Sequence, residues 1–197
     1  MATVLTPTTE LEAVNTILSV IGESPISSLS EAAAVADAVT AQRTLSEVNR
    51  AVQSKGYHFN TDKELVLSPA AFTGFITVPS NCLRVDTVTD DREVDVVHRG
   101  TRLYDRKNHT YVFTKSLKVD MVVLLPFEEI PESARHYITI RAARIFQART
   151  VGSDALFQFT ATDERDALVA FKKAEGVTGD YNILTGNSTV FRVLNRY

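Results

Sequence analysis

The sequence has little of several features on which common classes of function depend. Cys82 is the only cysteine in 197 residues, which excludes an intrachain disulfide bond and a cysteine-based zinc cluster. No apolar run is longer than that from Met121 to Leu125, which is far too short to span a membrane. The formal net charge is −3, whereas a protein that binds free nucleic acid is usually basic, because neutralising phosphates drives its affinity. This charge does not exclude a pore through which DNA passes, since DNA in transit should not be held tightly.

Sequence motifs of catalysis are also missing. The chain has four histidines, His58, His98, His109 and His136. None has a second histidine at helical metal-ligand spacing, and HExxH, GxSxG, P-loop and GxGxxG motifs are absent. Adjacent acids occur at Asp90–Asp91, Glu128–Glu129 and Asp163–Glu164. They fall in predicted turns or helix starts, where solvation or capping explains them, and Cys82 in a strand-like run is typical of a buried thiol. The sequence therefore predicts no catalytic residue, cofactor or metal.

The composition is typical of a globular protein that folds in a reducing compartment. Hydrophobic residues make up 44% and charged residues 23% of the chain. A chain of this length can form one substantial core, or two small cores that share a boundary. The N-terminal stretch has no basic region and no long apolar run, so we expect no signal peptide and folding in the cytoplasm.

The N-terminal stretch from Thr9 to Leu29 predicts a capped amphipathic helix followed by a stop. Thr9 and Glu12 have the spacing of a capping box. The apolar residues that follow recur at helical spacing and fill one half of the helical wheel. Gly22 and Pro25 should end the helix, which would dock on a neighbouring element.

A long second helix is predicted from an N-cap at Ser30 to Lys55, with Gly56 as its stop. An apolar seam follows it at alternating spacings of four and three, at Ala34, Ala38, Ala41, Leu45, Val48 and Val52. We interpret the seam as part of the core of the subunit, with a contact between subunits as the alternative.

Residues 57–126 change to short strands and tight turns, which predict an antiparallel meander or a small sandwich. The predicted strands are 57–61, 64–67, 74–78, 82–88, 93–98, 101–104, 110–113 and 117–125. Residues 62–63 should form a turn and residues 106–109 a polar tip. The strand 117–125 is the longest and most apolar, so we expect it in the centre of the sheet.

Two more helices are predicted after the β region. The first runs from about Glu132 to Val151, with a buried stripe of Ile138, Ala142, Ile145 and Phe146. Its opposite face, with Tyr137, Ile140 and Arg144, is unusually apolar and predicts a second contact face, within the subunit or to a neighbour. The next helix should begin at Asp154, have an internal N-cap at Thr162 and end at Gly176 and Gly179.

These elements predict an α+β fold in which N- and C-terminal helices form one bundle and an antiparallel β-sheet or sandwich is inserted between them. The predicted domains are a bundle of 1–56 plus 127–179, a β insert of 57–126 and a tail of 180–197. The tail is too apolar for a disordered segment that packs on nothing, and we expect it to pack on the body or on a neighbouring subunit. Its apolar residues include Tyr181, Ile183, Leu184, Phe191, Leu194 and Tyr197.

Two charged tips are candidate contact elements. The segments 89–92, with Asp90 and Asp91, and 105–109, with Arg106 and Lys107, are predicted hairpin tips. A solvated turn explains each of them, and in a stacked ring such tips could instead reach the next component.

Several short runs, in shared order and spacing, resemble the tail tubular protein A family of short-tailed bacteriophages. The run 53–60, Gln-Ser-Lys-Gly-Tyr-His-Phe-Asn, is similar to the family's pattern, with Tyr57 where the family often has tryptophan. The other matching runs are 13–29, 32–45, 48–50, 104–106, 130–132, 142–146 and 180–184.

The resemblance implies structural work in the virion rather than catalysis. Similar proteins form a dodecameric adaptor, or gatekeeper, ring that is assembled in the host cytoplasm and joins the portal protein to the nozzle, tail tubular protein B. The ring retains packaged double-stranded DNA and conducts it during ejection, without sequence-specific binding or membrane insertion. The alternative is a tail-associated cell-wall hydrolase. A host helical regulator is disfavoured by the inserted sheet and the lack of a basic helix.

Overall fold

The computed structural model describes residues 6–88, 91–152 and 154–179, and the backbone alone for 154–160. The helices are α1 (Glu10–Ser19), α2 (Leu29–Ala32), α3 (Ala36–Gln53), α4 (Glu132–Thr150) and α5 (Asp154–Thr178). The strands are β1 (Thr61–Leu67), β2 (Cys82–Thr87), β3 (Val96–Arg99), β4 (Arg102–Asp105) and β5 (Leu117–Val123). Two 3-10 turns, His58–Asn60 and Phe127–Glu129, flank the strands. The fold is α+β, as predicted from the sequence.

Helix α1 begins with the predicted capping box. The amide of Glu12 donates to Thr9 Oγ1 at 3.2 Å, and the amide of Thr9 donates to Glu12 Oε2 at 2.8 Å. These hydrogen bonds from Thr9 lower the pKa of Glu12. The helix ends at Ser19, three residues before Gly22, so both predicted ends are confirmed within a turn.

The predicted long second helix is wrong in its first part. Ser28, not Ser30, is an N-cap, and its hydroxyl accepts from the amide of Glu31 at 3.2 Å. This cap starts the four-residue helix α2, and Val35, which is extended, separates α2 from α3. The seam from Ala38 to Val52 is buried in the subunit core, as predicted, whereas Ala34 lies in the break and is exposed.

The β region has fewer regular strands than the sequence predicts. Strand β5 is central in the antiparallel sheet β1-β5-β2, as predicted, and β3 pairs with β4. The predicted strand 57–61 is a 3-10 turn, because the side chain of Asn60 accepts from the amide of Tyr57 and curls the chain. Residues 62–63 lie inside β1, at a bulge, rather than in a turn. Residues 74–78 and 110–113 form only isolated bridges.

Helix α4 matches its predicted bounds, and α5 differs from its prediction. The helical backbone of α5 passes through Thr162 without a break, so the internal N-cap is wrong. Gly176 lies inside α5, which continues to Thr178. Contacts of α5 with α4 outweigh these local stop and start signals.

Two apolar clusters fill the interior. One joins α1, α3, α4 and α5, with Ile17, Tyr137 and Phe146 fully buried within it. The other lies in the β region, around Leu103, Leu117 and Val119. The domain bounds of 57 and 126 stay a prediction. Across the part of the chain that the structure describes, no helix is both long and apolar enough to cross a membrane.

Candidate assembly surfaces

The chain leaves the helical bundle and returns to it at one junction, where side-chain amides tie the two crossings together. Gln53, at the end of α3, donates from Nε2 to the carbonyl of Leu125, and the amide of Leu125 donates to Gln53 Oε1; both distances are 2.9 Å. Asn60 Nδ2 donates to the carbonyls of Gln53 and Val123 at 2.9 and 2.8 Å. The junction holds the β region against the bundle at the point where the chain crosses between them.

Aromatic side chains extend this junction into the bundle. Tyr57 contacts Phe171 of α5 edge-on, with ring centroids 4.6 Å apart, and lies parallel to Phe59 at 5.9 Å. The amide of His58 donates to Glu175 Oε2 at 2.8 Å. The run 53–60 that resembles the phage family is therefore a structural hub between α3, α5 and the β region.

The predicted second face of α4 lies mostly within the subunit. Tyr137 is fully buried and stacks on Phe171 with ring centroids 5.7 Å apart, so its side chain is not available to a neighbour. Helix α5 covers this face through Phe171, and its Glu164 also pairs with Arg141 at 2.8 Å and with Arg144. Ile140 and Arg144 are half-buried and keep some exposed surface.

The first predicted tip is partly an internal anchor. Asp91 is buried, and its carboxylate accepts from Lys115 Nζ at 2.5 Å and from the amide of Lys118 at 2.9 Å. These hydrogen bonds, with that from Lys115 the larger influence, lower the pKa of Asp91. Asp91 therefore ties the loop to the start of β5, while Asp90 lies outside the described residues.

The second tip is an ordered, exposed turn. Asp105 is buried beneath it and accepts from the amides of Lys107 and Asn108 and from the Asn108 side chain, at 2.8 to 2.9 Å. Burial opposes ionisation of Asp105, but these hydrogen bonds outweigh it and lower its pKa. Arg106 and Lys107 project from the turn into solvent, as predicted, and Arg106 pairs with Asp95 at 3.4 Å.

Sequence reasoning missed a row of three aromatic side chains with an arginine at each end, which lies behind this tip. The Arg99 guanidinium lies 3.6 Å from the Tyr104 ring centroid, and that of Arg102 lies 5.0 Å from Phe75. Tyr111 links the two pairs, with ring centroids 4.9 Å from Tyr104 and 6.5 Å from Phe75. The members come from three separate segments, so only a predicted pairing of those segments could have revealed the row.

The remaining chemical candidates have structural partners. Burial raises the pKa of the Cys82 thiol, which favours the unreactive protonated form. The carboxylate of Glu164 is held by arginines, and Glu128 Oε1 accepts from the amide of Glu10. Within the described ranges, no group of three or more His, Cys, Asp or Glu residues is arranged to hold a metal ion.

The predicted contact residues Tyr181, Ile183, Leu184, Phe191, Leu194 and Tyr197 lie outside the described residues.

Comparison with known proteins places the chain among the structural proteins of bacteriophage tails. A profile of the family described as tail tubular protein matches residues 11–181, so the chain belongs to the tail tubular protein family. One relative is tail tubular protein A of Klebsiella phage KP34, which is 30% identical over 146 residues, or 74% of this chain and 75% of the relative. The matched range includes the bundle, the junction and the β region.

Proposed function

We propose that this chain is a subunit of the adaptor, or gatekeeper, ring that joins the portal to the tail nozzle. The family match over residues 11–181 carries the proposal, since it spans all the elements of the fold. A relative with the name tail tubular protein A supports the proposal, since it carries the name of the family that the sequence resembles. In this position the ring, a dodecamer, retains packaged DNA and conducts it during ejection, and the protein acts without catalysis.

The architecture of the subunit suits a closed ring. In a cyclic ring each subunit presents two different patches, one to each neighbour. The rigid junction at Gln53 and Asn60 would keep such patches in fixed relation. We propose Ile140, Arg144, Arg106 and Lys107, together with the apolar residues of the segment 180–197, as contacts with neighbours, portal or nozzle.

The net charge of −3 suits a conduit for DNA. Affinity for duplex DNA grows with the number of phosphates that a protein neutralises. A mildly acidic ring would let the DNA slide without holding it, and sequence-specific contacts are not required for this task.

Electron microscopy of the purified chain mixed with the portal protein of its phage tests the proposal. The expected result is an added ring beneath the portal, with nozzle protein binding only after the ring is present. If no complex forms and the chain alone cleaves cell-wall material, the adaptor proposal is wrong and the hydrolase alternative holds.

A truncation after Gly179 tests the contribution of the C-terminal segment. The truncated chain keeps every helix and strand described above. We expect a subunit that still unfolds cooperatively on heating but no longer forms rings on the portal. Normal ring assembly by this variant would remove residues 180–197 from the proposed contacts.

A further inference from the structure

We propose that the subunits contact one another head to tail, with a basic, aromatic surface of the β region seated in an acidic cleft of the next copy's bundle. The inference rests on the proposed ring function and names the two patches that meet. The contact surface consists of the Phe72 loop (residues 70–74) and the basic hairpin (residues 96–109). The acidic cleft is lined by Glu10, Leu45, Ser46, Asn49, Pro126, Phe127 and Glu128.

The Phe72 loop presents an aromatic side chain that none of the described residues covers. Phe72 is 104% exposed, far more than any other large hydrophobic residue in the described ranges. The loop is nevertheless ordered by hydrogen bonds, from the amide of Ala70 to the carbonyl of Phe75 at 2.9 Å and from the amide of Gly74 to the carbonyl of Ala70 at 2.8 Å. Removing an exposed phenylalanine ring from water stabilises a contact, so Phe72 on an ordered loop is a candidate anchor for a partner.

The basic hairpin lies beside this loop. Arg102 packs on Phe75, three residues after Phe72, and the row continues through Tyr111 and Tyr104 to Arg99. At the tip, Arg99, Arg106, Lys107 and His109 surround an open cleft of about 410 Å³, and among the described residues Asp95 is its acidic lining residue. A carboxylate that enters this cleft meets the positive charges of Arg99, Arg106 and Lys107, of which Asp95 offsets one through its ion pair with Arg106.

The composition of this surface favours a protein partner over duplex DNA. Tyrosine and arginine are enriched among the residues that dominate protein–protein binding energy. Duplex DNA keeps its bases stacked and offers phosphates to the arginines, but it offers no partner to Phe72 or to the tyrosine row. An acidic protein surface with an apolar floor offers carboxylates to the arginines and apolar contacts to Phe72 and the tyrosines.

The chain itself carries such a surface. Glu10 and Glu128 stand at the acidic cleft, and Leu45, Pro126 and Phe127 supply apolar lining. Glu129 is exposed in the same 3-10 turn as Glu128. The cleft measures about 210 Å³, which is below the roughly 300–1,000 Å³ of sites for small-molecule ligands but is wide enough to receive one side chain.

Charge and position together identify the occupant as a second copy of this chain. The basic patch belongs to the β region and the acidic cleft to the bundle, so the two patches share no residue. Two different, complementary patches on one subunit produce a repeating contact that closes into a ring when the rotation allows it. The acidic cleft continues towards Asn81 as a second cleft, which contains Arg50. We therefore expect the basic hairpin to bind at the acidic end, away from Arg50.

Reciprocal charge reversal tests the contact in the full-length chain on portal particles. One variant carries Arg106→Glu and Lys107→Glu, and the other carries Glu128→Lys and Glu129→Lys. Each variant alone brings like charges together, and we expect the fraction of ring-bearing portals to fall about tenfold or more. An equal mixture of the two variants restores opposite charges at every contact and should form alternating rings. Phe72→Ala should weaken assembly, whereas Val177→Ala, an exposed change on α5, should not.

The outcomes separate this inference from the proposed function. If the wild-type chain forms no ring on the portal, the adaptor function fails, and the inference fails with it. If the wild type and both reversed variants form rings equally, the function stands and the inference is overturned. If the Arg106→Glu, Lys107→Glu variant forms normal rings but the particles lose packaged DNA, the hairpin faces DNA, and the inference is again overturned. Melting temperatures equal to wild type exclude misfolding as the cause of any loss.

Discussion

Gln53 and Leu125 exchange two hydrogen bonds of 2.9 Å. The side-chain amide of Gln53 thus pairs with the backbone of Leu125 in the way that a neighbouring β-strand would. Gln53 is fully buried, and its Nε2 also donates to Asn49 Oδ1 at 2.9 Å. The end of α3 and the segment after β5 are 72 residues apart in sequence, and Gln53 joins them directly. Asn60 adds hydrogen bonds to the carbonyls of Gln53 and Val123, so two buried side-chain amides hold the β region against the bundle.

Replacing Gln53 with leucine should destabilise the protein by about 1–3 kcal/mol, because the partly buried amide and carbonyl of Leu125 would lose their hydrogen-bond partners. Leucine is similar in size, so the loss reports the hydrogen bonds rather than a cavity. Urea unfolding measures the change. Gln42→Leu is the matched control on the same helix, since Gln42 is half-exposed and makes a single side-chain hydrogen bond to Glu10. Equal effects of the two changes would contradict the role of Gln53.

Gly56→Ala should be more destabilising than Gly100→Ala. Both glycines have positive φ, +76° and +62°, where alanine costs about 1–2 kcal/mol. A Cβ at Gly56 would also lie 2.8 Å from Arg84 Nη2 and 2.9 Å from Val122 Cγ2, whereas a Cβ at Gly100 meets nothing within 4 Å. Both variants carry the cost of alanine at positive φ. The difference between their denaturant midpoints therefore measures the cost of the close contacts with Arg84 and Val122 at Gly56. Matching midpoints would show that Arg84 and Val122 move aside freely.

Asp105→Asn should reduce the free energy of unfolding at neutral pH and make it fall less steeply as the pH is lowered. Since the folded-state pKa of Asp105 is lowered from 3.8, its carboxylate contributes stability above that pH, and the contribution is lost as the pH falls through the folded-state pKa. The measurement is the urea midpoint from about pH 7 down to about pH 3. Asp95→Asn, at an exposed ion pair, is the control and should leave the curve nearly unchanged. A wild-type slope in the Asp105 variant would refute the assignment.

Cys82 should react with a thiol reagent more than about tenfold more slowly in the native protein than in denaturant, because burial both hides the thiol and raises its pKa. The rate of colour development with an aromatic disulfide measures this. A Ser54→Cys variant adds an exposed thiol to the same fold, and this second thiol should react rapidly. Fast native labelling of Cys82 itself would show that β2 opens at the sheet edge.

Local signals allowed α1, α4 and the central position of β5 to be predicted. The capping box at Thr9 and Glu12 is complete within four residues, and the apolar length of β5 marks a strand with neighbours on both sides. The break before α3 escaped prediction because the cap at Ser28 and the extended Val35 compete with a continuous helical pattern. The segment 57–61 alternates as a strand does, yet the Asn60 side chain turns it into the junction.

The surfaces were harder to predict than the elements. Tyr137 belongs to an apolar second face, and the sequence alone leaves open whether that face meets another helix of the subunit or a neighbour. The structure brings α5 onto it, through Phe171 and Glu164. The cation–aromatic row assembles from segments that are distant in sequence, so no local pattern contains it. By contrast, Arg106 and Lys107 sit in a turn that the polar run already indicates.

The junction also has a mechanical consequence. A tension that pulls the β region from the bundle loads the hydrogen bonds of Gln53 and of Asn60 at the same time, because each residue holds the outgoing and the returning chain together. Bonds that share a load must break together, which resists sudden force better than bonds that open one after another. A pull between the β region and the bundle would thus be shared by two side chains instead of being borne by one hydrogen bond.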